Sequence, residues 1–284
     1  MTKLVFGCGY LGLRVAQRWL ASGDVVHVVT RNEQRAQQLA RKGFQPSVGD
    51  VTKAICLPKF ERLSTVLYAI GFDRSSGKSI HEVYVEGLTN ALSSLTCPPG
   101  KILYTSSTGV YGQSNGEWVD EQSPCQPLRA GGLACLAAEQ TLLAHPYGQR
   151  AITLRLAGIY GPERLPSLRP LLSGDPLEVR GHEYLNLIHV DDAVQVVLAA
   201  EGTAAVGSCY TVSDGHPVRR ADFYNELARL LGAPKPTFAS PAVRSTLASR
   251  GGSDKRVSNR RMRSDLGVSL RYPSYRDGLA ASIA

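Results

Sequence analysis

One short segment near the start, Gly7-Cys8-Gly9-Tyr10-Leu11-Gly12, constrains this chain more than any other. It follows the apolar run Lys3 to Phe6 and leads into a helical pattern from Leu11 to Ser22. In a strand-turn-helix setting, glycines at this spacing allow a tight turn, close approach of backbone to a pyrophosphate, and close packing of helix on strand. The phosphates would sit at the helix N-terminus, where unpaired amides point outward. The segment therefore predicts a dinucleotide cradle made of Gly7, Cys8, Gly9, Tyr10, Leu11 and Gly12.

Short β-branched runs continue to alternate with helical patterns, as expected of β-α-β units. Strands are expected at Lys3 to Phe6, Val25 to Thr30, Thr65 to Ala69, Ile102 to Thr105 and Ile152 to Leu156. Helices are expected at Glu33 to Lys42, Ile80 to Leu95, Leu133 to His145, Asp191 to Glu201 and Arg220 to Leu231. The fold class is thus α/β, a Rossmann-type doubly wound parallel sheet with a smaller C-terminal substrate-side lobe. The expected division is 1–162, completed by about 187–212, for the nucleotide-binding domain, and 163–186 with 213–284 for the lobe. Pro234 to Gly252 reads as a surface loop, followed by a loop-rich basic tail.

With 43% hydrophobic and 20% charged residues in 284, intrinsic disorder is excluded. Polar residues interrupt every apolar run well short of a membrane span. The stretch Leu4 to Leu13 carries three glycines and is not expected to act as a secretory signal. Six cysteines form no C-x-x-C pair and no zinc-like spacing, so free thiols, a cytoplasmic location and no metal are expected. Of 32 basic residues only eight are lysines, and the last 44 residues hold nine basic against three acidic. That asymmetry suits an anionic small-molecule substrate. RNA binding through Arg260-Arg261-Met262-Arg263 near Tyr272 and Tyr275 is the weaker alternative, since no nucleic-acid module is present, and nucleic acid is not the expected partner.

The end of the second strand reads Val29-Thr30-Arg31-Asn32 and carries no acid to grip a ribose 2′-hydroxyl. An Arg at that place can pair with a 2′-phosphate, which favours NADP over NAD. Asp50, in Gly49-Asp50-Val51, would reach the adenine amine.

These segments, together with Glu86-Gly87-Leu88-Thr89-Asn90, Thr105-Ser106-Ser107-Thr108-Gly109-Val110-Tyr111-Gly112, Arg155-Leu156-Ala157-Gly158-Ile159-Tyr160-Gly161-Pro162 and Asn186-Leu187-Ile188-His189-Val190-Asp191-Asp192, resemble the extended short-chain dehydrogenase/reductase family, the NAD(P)-dependent epimerase/dehydratase group. The late Lys255-Arg256-Val257-Ser258-Asn259 is similar to an atypical bacterial subgroup, the YeeZ-like proteins. The resemblance implies a cofactor site of the glycine loop with Thr30, Arg31, Asp50, Val51, Ala69, Ile70, Gly71, Thr105, Ser106, Ala157 and Gly158. It also implies a homodimer paired through Ile80 to Leu95 and Leu133 to His145.

The family's chemistry rests on a Ser, a Tyr and a Lys four residues after the Tyr, with the lysine lowering the tyrosine pKa for acid/base work. Here Ser107 takes the Ser position. Counting back from Glu139 places the other two on Gly131 and Cys135. No Tyr-x-x-x-Lys occurs in the chain, and no lysine lies between 102 and 234. The candidate substitutes are Tyr111, Tyr160, His189 and Cys135. Each also has a plain structural reading: packed tyrosines, a small buried cysteine, and a histidine ahead of a helix capped by Asp191-Asp192. Arg155, Arg164, Arg180 and Arg256 are candidate partners for a substrate phosphate. The expected function is an NAD(P)-binding epimerase/dehydratase-like oxidoreductase with non-standard acid/base groups; the alternative is an inactive NAD(P)-binding sensor or scaffold.

Overall fold

The computed structural model describes residues 1–239 and 254–283. Thirteen strands are described: β1 (Thr2–Phe6), β2 (Val25–Thr30), β3 (Gln45–Val48), β4 (Leu63–Tyr68), β5 (Pro99–Ser107), β6 (Glu117–Val119), β7 (Ala151–Leu156), β8 (Gly158–Tyr160), β9 (Tyr184–Leu185), β10 (Leu187–His189), β11 (Cys209–Val212), β12 (Val218–Arg219) and β13 (Lys255–Val257). Seven of them form one sheet in the order β11-β7-β5-β4-β1-β2-β3. The pairs β1–β2, β2–β3, β1–β4 and β4–β5 are all parallel. Order runs outward from β1 through β2 to β3 on one side and from β4 to β5 and beyond on the other. The reversal between β1 and β4 is the switch point at which doubly wound sheets open a crevice beyond their carboxyl ends.

The helices are α1 (Gly12–Ala21), α2 (Glu33–Ala40), α3 (Gly87–Ser93), α4 (Ala130–Ala144), α5 (Leu168–Ser173), α6 (Val190–Thr203), α7 (Arg220–Leu231), α8 (Arg260–Leu266) and α9 (Tyr275–Ile283). The expected helix from Ile80 is built differently from a plain α-helix. Glu82–Glu86 form a π-helical turn before α3, and the Tyr68 hydroxyl donates to the Val83 carbonyl within it at 3.3 Å. Within the described residues 254–283 the basic tail, expected to be loop-rich, holds two helices. Met262 and Leu266, four apart on α8, are buried, as are Tyr275 and Leu279, four apart on α9. That spacing places each pair on one helix face, which drives the two segments to fold. The greater part of the expected loop from Pro234, residues 240–253, lies outside the described residues.

The chain divides into two compact units. One comprises Met1–Ser107, Leu133–Arg155 and Val197–Cys209; the other comprises Thr108–Gly132, Leu156–Val196 and Tyr210–Ala284. In the first, Leu4, Phe6, Val66, Tyr68, Ile102 and Tyr104 of adjacent strands pack with Leu88, Leu92 and Leu142. Strands apolar on both faces are what a parallel sheet covered by helices requires. Lys3, buried at the start of β1, is answered by the carboxylate of Glu201, which also accepts from Trp19 Nε1 at 2.6 Å. In the second unit Tyr160, Phe223, Tyr224, Leu227 and Leu279 form the core. Among the described residues three pairs of its strands form two-stranded sheets: β8 with β10, β9 with β12, β6 with β13.

Candidate functional site

In the first unit the glycine loop leaves β1 at the switch point and enters α1. Gly7 has φ +96°, a left-handed conformation that suits glycine. A Cβ on it would stand 2.5 Å from the Ala69 carbonyl oxygen, so this turn is pressed against the residues leaving β4. A Cβ on Gly12 would stand 2.2 Å from the Gly7 carbonyl oxygen, which is how closely α1 packs under the loop. Gly9 is different: it is exposed, and a Cβ there meets nothing within 4 Å. Gly71, beyond β4, is equally open. Two glycines therefore serve packing, and two leave bare backbone facing outward beyond the carboxyl ends of β1 and β4. This is the cradle that a dinucleotide needs, and its residues fit one.

The flanking positions have defined partners. Arg14 donates to the Tyr10 carbonyl at 2.7 Å and stacks on the Tyr10 ring. Burial pushes the Cys8 thiol up to about 12, so it stays protonated at neutral pH. Arg31, past the end of β2, forms an exposed ion pair with Asp73 at 3.3 Å. Asn32 caps α2 by accepting from the Arg35 amide at 3.0 Å. Asp50 accepts from the Thr52 amide at 2.9 Å and the Thr52 hydroxyl at 3.0 Å; although burial opposes them, these bonds hold its carboxyl below the usual range. Thr105 donates to the Tyr68 carbonyl at 3.1 Å, tying β5 to β4.

Ser106 and Ser107 end β5 with opposite fates. Ser106 is buried and gives its hydroxyl to Glu139 Oε1 at 2.5 Å. Glu139 also receives Arg155 through Nε at 3.1 Å and Nη2 at 2.7 Å, a bidentate pair. Arg155, expected as a phosphate partner, is thus committed to this carboxylate. Ser107 is half-buried at the strand end. Cys135 is buried on α4, and its thiol is pushed up to about 12 by burial and by Glu139. It cannot supply the positive charge of a lysine at neutral pH.

A family model for the NAD dependent epimerase/dehydratase family matches residues 4–211. The chain belongs to that family. As an epimerase/dehydratase-family chain it binds NAD(P). It is 33% identical over 174 residues to Protein YeeZ of Escherichia coli, matching 61% of this chain and spanning 59% of that relative's length. It is 30% identical to short-chain dehydrogenase/reductase family 42E member 1 of Danio rerio, over 83% of this chain and 69% of the relative. Its fold matches MoeE5, solved in complex with UDP-glucose and NAD, with TM-score 0.78 and 23% identity over 100% of this chain and 97% of that one.

In the second unit of this family member, the tyrosine and histidine candidates are core residues. Tyr111, Tyr160 and His189 are each 1% exposed or less. The Tyr160 ring meets His189 edge-on at 5.4 Å, and its hydroxyl donates to the Ser274 carbonyl at 3.5 Å. Burial, reinforced by Asp214 and Asp192, raises its pKa far above the ordinary value, the reverse of what an acid/base tyrosine requires. His189 Nδ1 accepts from the Asp191 amide at 3.2 Å, so the histidine caps α6. Asp192, expected to share in capping, instead accepts from the Arg271 amide at 2.7 Å and the Tyr272 amide at 3.0 Å. Ala157 donates its amide to Val212 at 2.8 Å and Gly158 to Asn186 at 3.0 Å.

The remaining phosphate candidates also have internal contacts. Arg180 reaches Glu183 at 3.4 Å, and the backbone of Arg164 bridges to Gly161. Arg256 donates to the Gly116 carbonyl at 2.7 Å and lies over the Trp118 and Tyr184 rings. In the tail proposed for RNA, Arg261 pairs with Asp265 at 3.3 Å and covers the Tyr210 ring. Among the described residues no group of three or more His, Cys, Asp or Glu is placed to hold a metal, and no helix is long and apolar enough to cross a membrane.

Proposed function

We propose that this chain is an NADP-preferring oxidoreductase of the epimerase/dehydratase type, acting on a nucleotide-linked or otherwise phosphorylated small molecule with acid/base groups other than the Tyr/Lys pair. The observation that carries this reading is the open glycine cradle at the β1/β4 switch point with Arg31, and no acid, at the end of β2. Gly7, Gly9 and Gly12 would hold the pyrophosphate, Asp50 the adenine amine and Arg31 the 2′-phosphate. The Arg31–Asp73 pair is exposed, and such pairs are worth about 0–1 kcal/mol, so a phosphate dianion can displace Asp73. A bound nicotinamide would supply hydride transfer. The UDP-glucose bound to MoeE5, a protein of the same fold, supports a nucleotide-linked substrate.

Calorimetry with NADPH and NADH tests the cofactor. The wild type should favour NADPH, and R31A should lose about tenfold in NADPH affinity while NADH affinity stays unchanged. Equal affinities in wild type, or an R31A variant that keeps its preference, remove the NADP assignment. Turnover is tested by NADPH or NADP absorbance across nucleotide sugars, sugar phosphates, ketones and aldehydes. A second reading, a non-catalytic nucleotide-binding sensor, is supported by the resemblance, which puts Gly131 and Cys135 at the positions of the pair, and by the burial that keeps the Cys135 thiol protonated. Tight NADPH binding with no turnover on any compound, and partner binding that changes with nucleotide, would select it.

A further inference from the structure

Arg31 follows β2 and Asp73 lies on the loop that follows β4, so their ion pair joins segments that leave the sheet on opposite sides of β1 and its glycine loop. The Asp73 carboxylate is held there by its own turn. Its Oδ1 accepts from the Ser75 amide at 3.0 Å and the Ser75 hydroxyl at 2.6 Å, capping the short helical turn Arg74–Ser76. The Ser76 hydroxyl donates back to the Asp73 carbonyl at 2.7 Å. Just before it, the Phe72 amide donates to the Tyr84 hydroxyl at 3.2 Å, and the two rings meet edge-on. Oδ2 of Asp73 is left for Arg31 Nη2, at 3.3 Å.

Other charges at this corner are engaged elsewhere. Burial raises the Asp50 carboxyl, and the Thr52 bonds, then the charges of Arg31 and Lys53, bring it below its usual range. Asp50 forms no ion pair with Arg31 among the described residues. Arg35, one turn further along α2, gives Nη1 to Gln38 at 3.2 Å. Among the described residues Arg31 therefore has one carboxylate within ion-pair distance, that of Asp73. A bidentate phosphate contact needs two adjacent N–H groups of the guanidinium fork, and Asp73 occupies one nitrogen. A ribose 2′-hydroxyl carries no charge and makes no such demand on Arg31.

We propose that Asp73 sets the cofactor specificity of this site: by holding Arg31 it competes with the 2′-phosphate and limits the preference for NADP over NAD. The proposal rests on the reading of Arg31 as the 2′-phosphate partner, and it adds a residue that belongs to none of the motifs in the chain. Arg31 and Asp73 are 57% and 45% exposed, so the pair restrains Arg31 weakly, by about two- to fivefold in affinity, and salt screens it.

The test is calorimetry with NADPH and NADH on the full chain at low and high salt. D73N removes the charge and keeps a side-chain oxygen to accept from Ser75; D73S does the same with a shorter side chain. Each should bind NADPH about two- to fivefold more tightly than wild type at low salt, with NADH affinity unchanged, and the gap should close at high salt. In the double variant R31A/D73N the gain over R31A should vanish. NADPH affinity unchanged in both D73N and D73S, while R31A loses it, overturns the role of Asp73 and leaves the Arg31 reading standing. A gain of the same size in the R31A background, an equal gain for NADH, or a gap that salt leaves intact overturns competition for Arg31. Wild-type NADPH affinity in R31A overturns the Arg31 reading itself, and the proposal with it.

Discussion

Exchanging single glycines of the loop for alanine separates the packing role from the binding role. At Gly12 the added Cβ would lie 2.2 Å from the Gly7 carbonyl oxygen and 3.4 Å from the Ala69 Cβ. Ordinary contact begins near 3.4 Å, so the helix or the turn must give by more than 1 Å, and both are backbone. Overpacking of this kind costs about 1–3 kcal/mol. In a chain of this size that is a fall of about 2–12 °C in Tm. At Gly9 the added Cβ meets nothing within 4 Å, so G9A should unfold within about 1 °C of wild type.

The same methyl group stands where the pyrophosphate must approach bare backbone, and G9A should lose about tenfold or more in NADPH affinity. Differential scanning fluorimetry and calorimetry on the two variants read both quantities. A G9A protein with wild-type affinity would show that the loop is only a glycine-rich turn. A G12A protein with wild-type Tm would refute the packing argument.

Asp214 has a buried Oδ2 without a hydrogen-bond partner, and burial, with a smaller contribution from Asp192, pushes its carboxyl from 3.8 up to about 8. The unfolded chain releases this proton first, so stability should fall as pH rises from about 4 to 8, by on the order of 4 kcal/mol at pH 7; urea unfolding of D214N should lack that slope, and an unchanged slope would refute the assignment. In the first unit, E139Q strips the charge that answers Arg155 and should destabilise by about 3–5 kcal/mol in urea, with the double variant E139Q/R155M costing less than the sum of the two. Additive costs would show that the pair does not interact.

What was legible from the chain follows the distance over which each feature is encoded. Val25–Thr30 and Arg220–Leu231 fall where their patterns place them, because a buried parallel strand and a one-faced helix each leave their period in consecutive residues. The glycine cradle is legible for the same reason: six adjacent residues contain it. The tail helices were missed because each shows only two buried apolar side chains within seven to nine residues, too little for a periodic signal.

Nothing in linear order says which cations will lose water. Lysine gives the clearest case. Lys3 and Lys255 are buried to the same 4% exposure. Lys3 meets the carboxylate of Glu201, so its burial is neutralised and it reads as structure. Lys255 meets the Tyr111 carbonyl instead, and burial, with Arg129 and Arg220 adding to it, pushes its ammonium down to about 8. A search of the sequence for a lysine in the catalytic helix finds none, and nothing in linear order marks Lys255, more than a hundred residues further on, as the lysine that folding buries on a carbonyl.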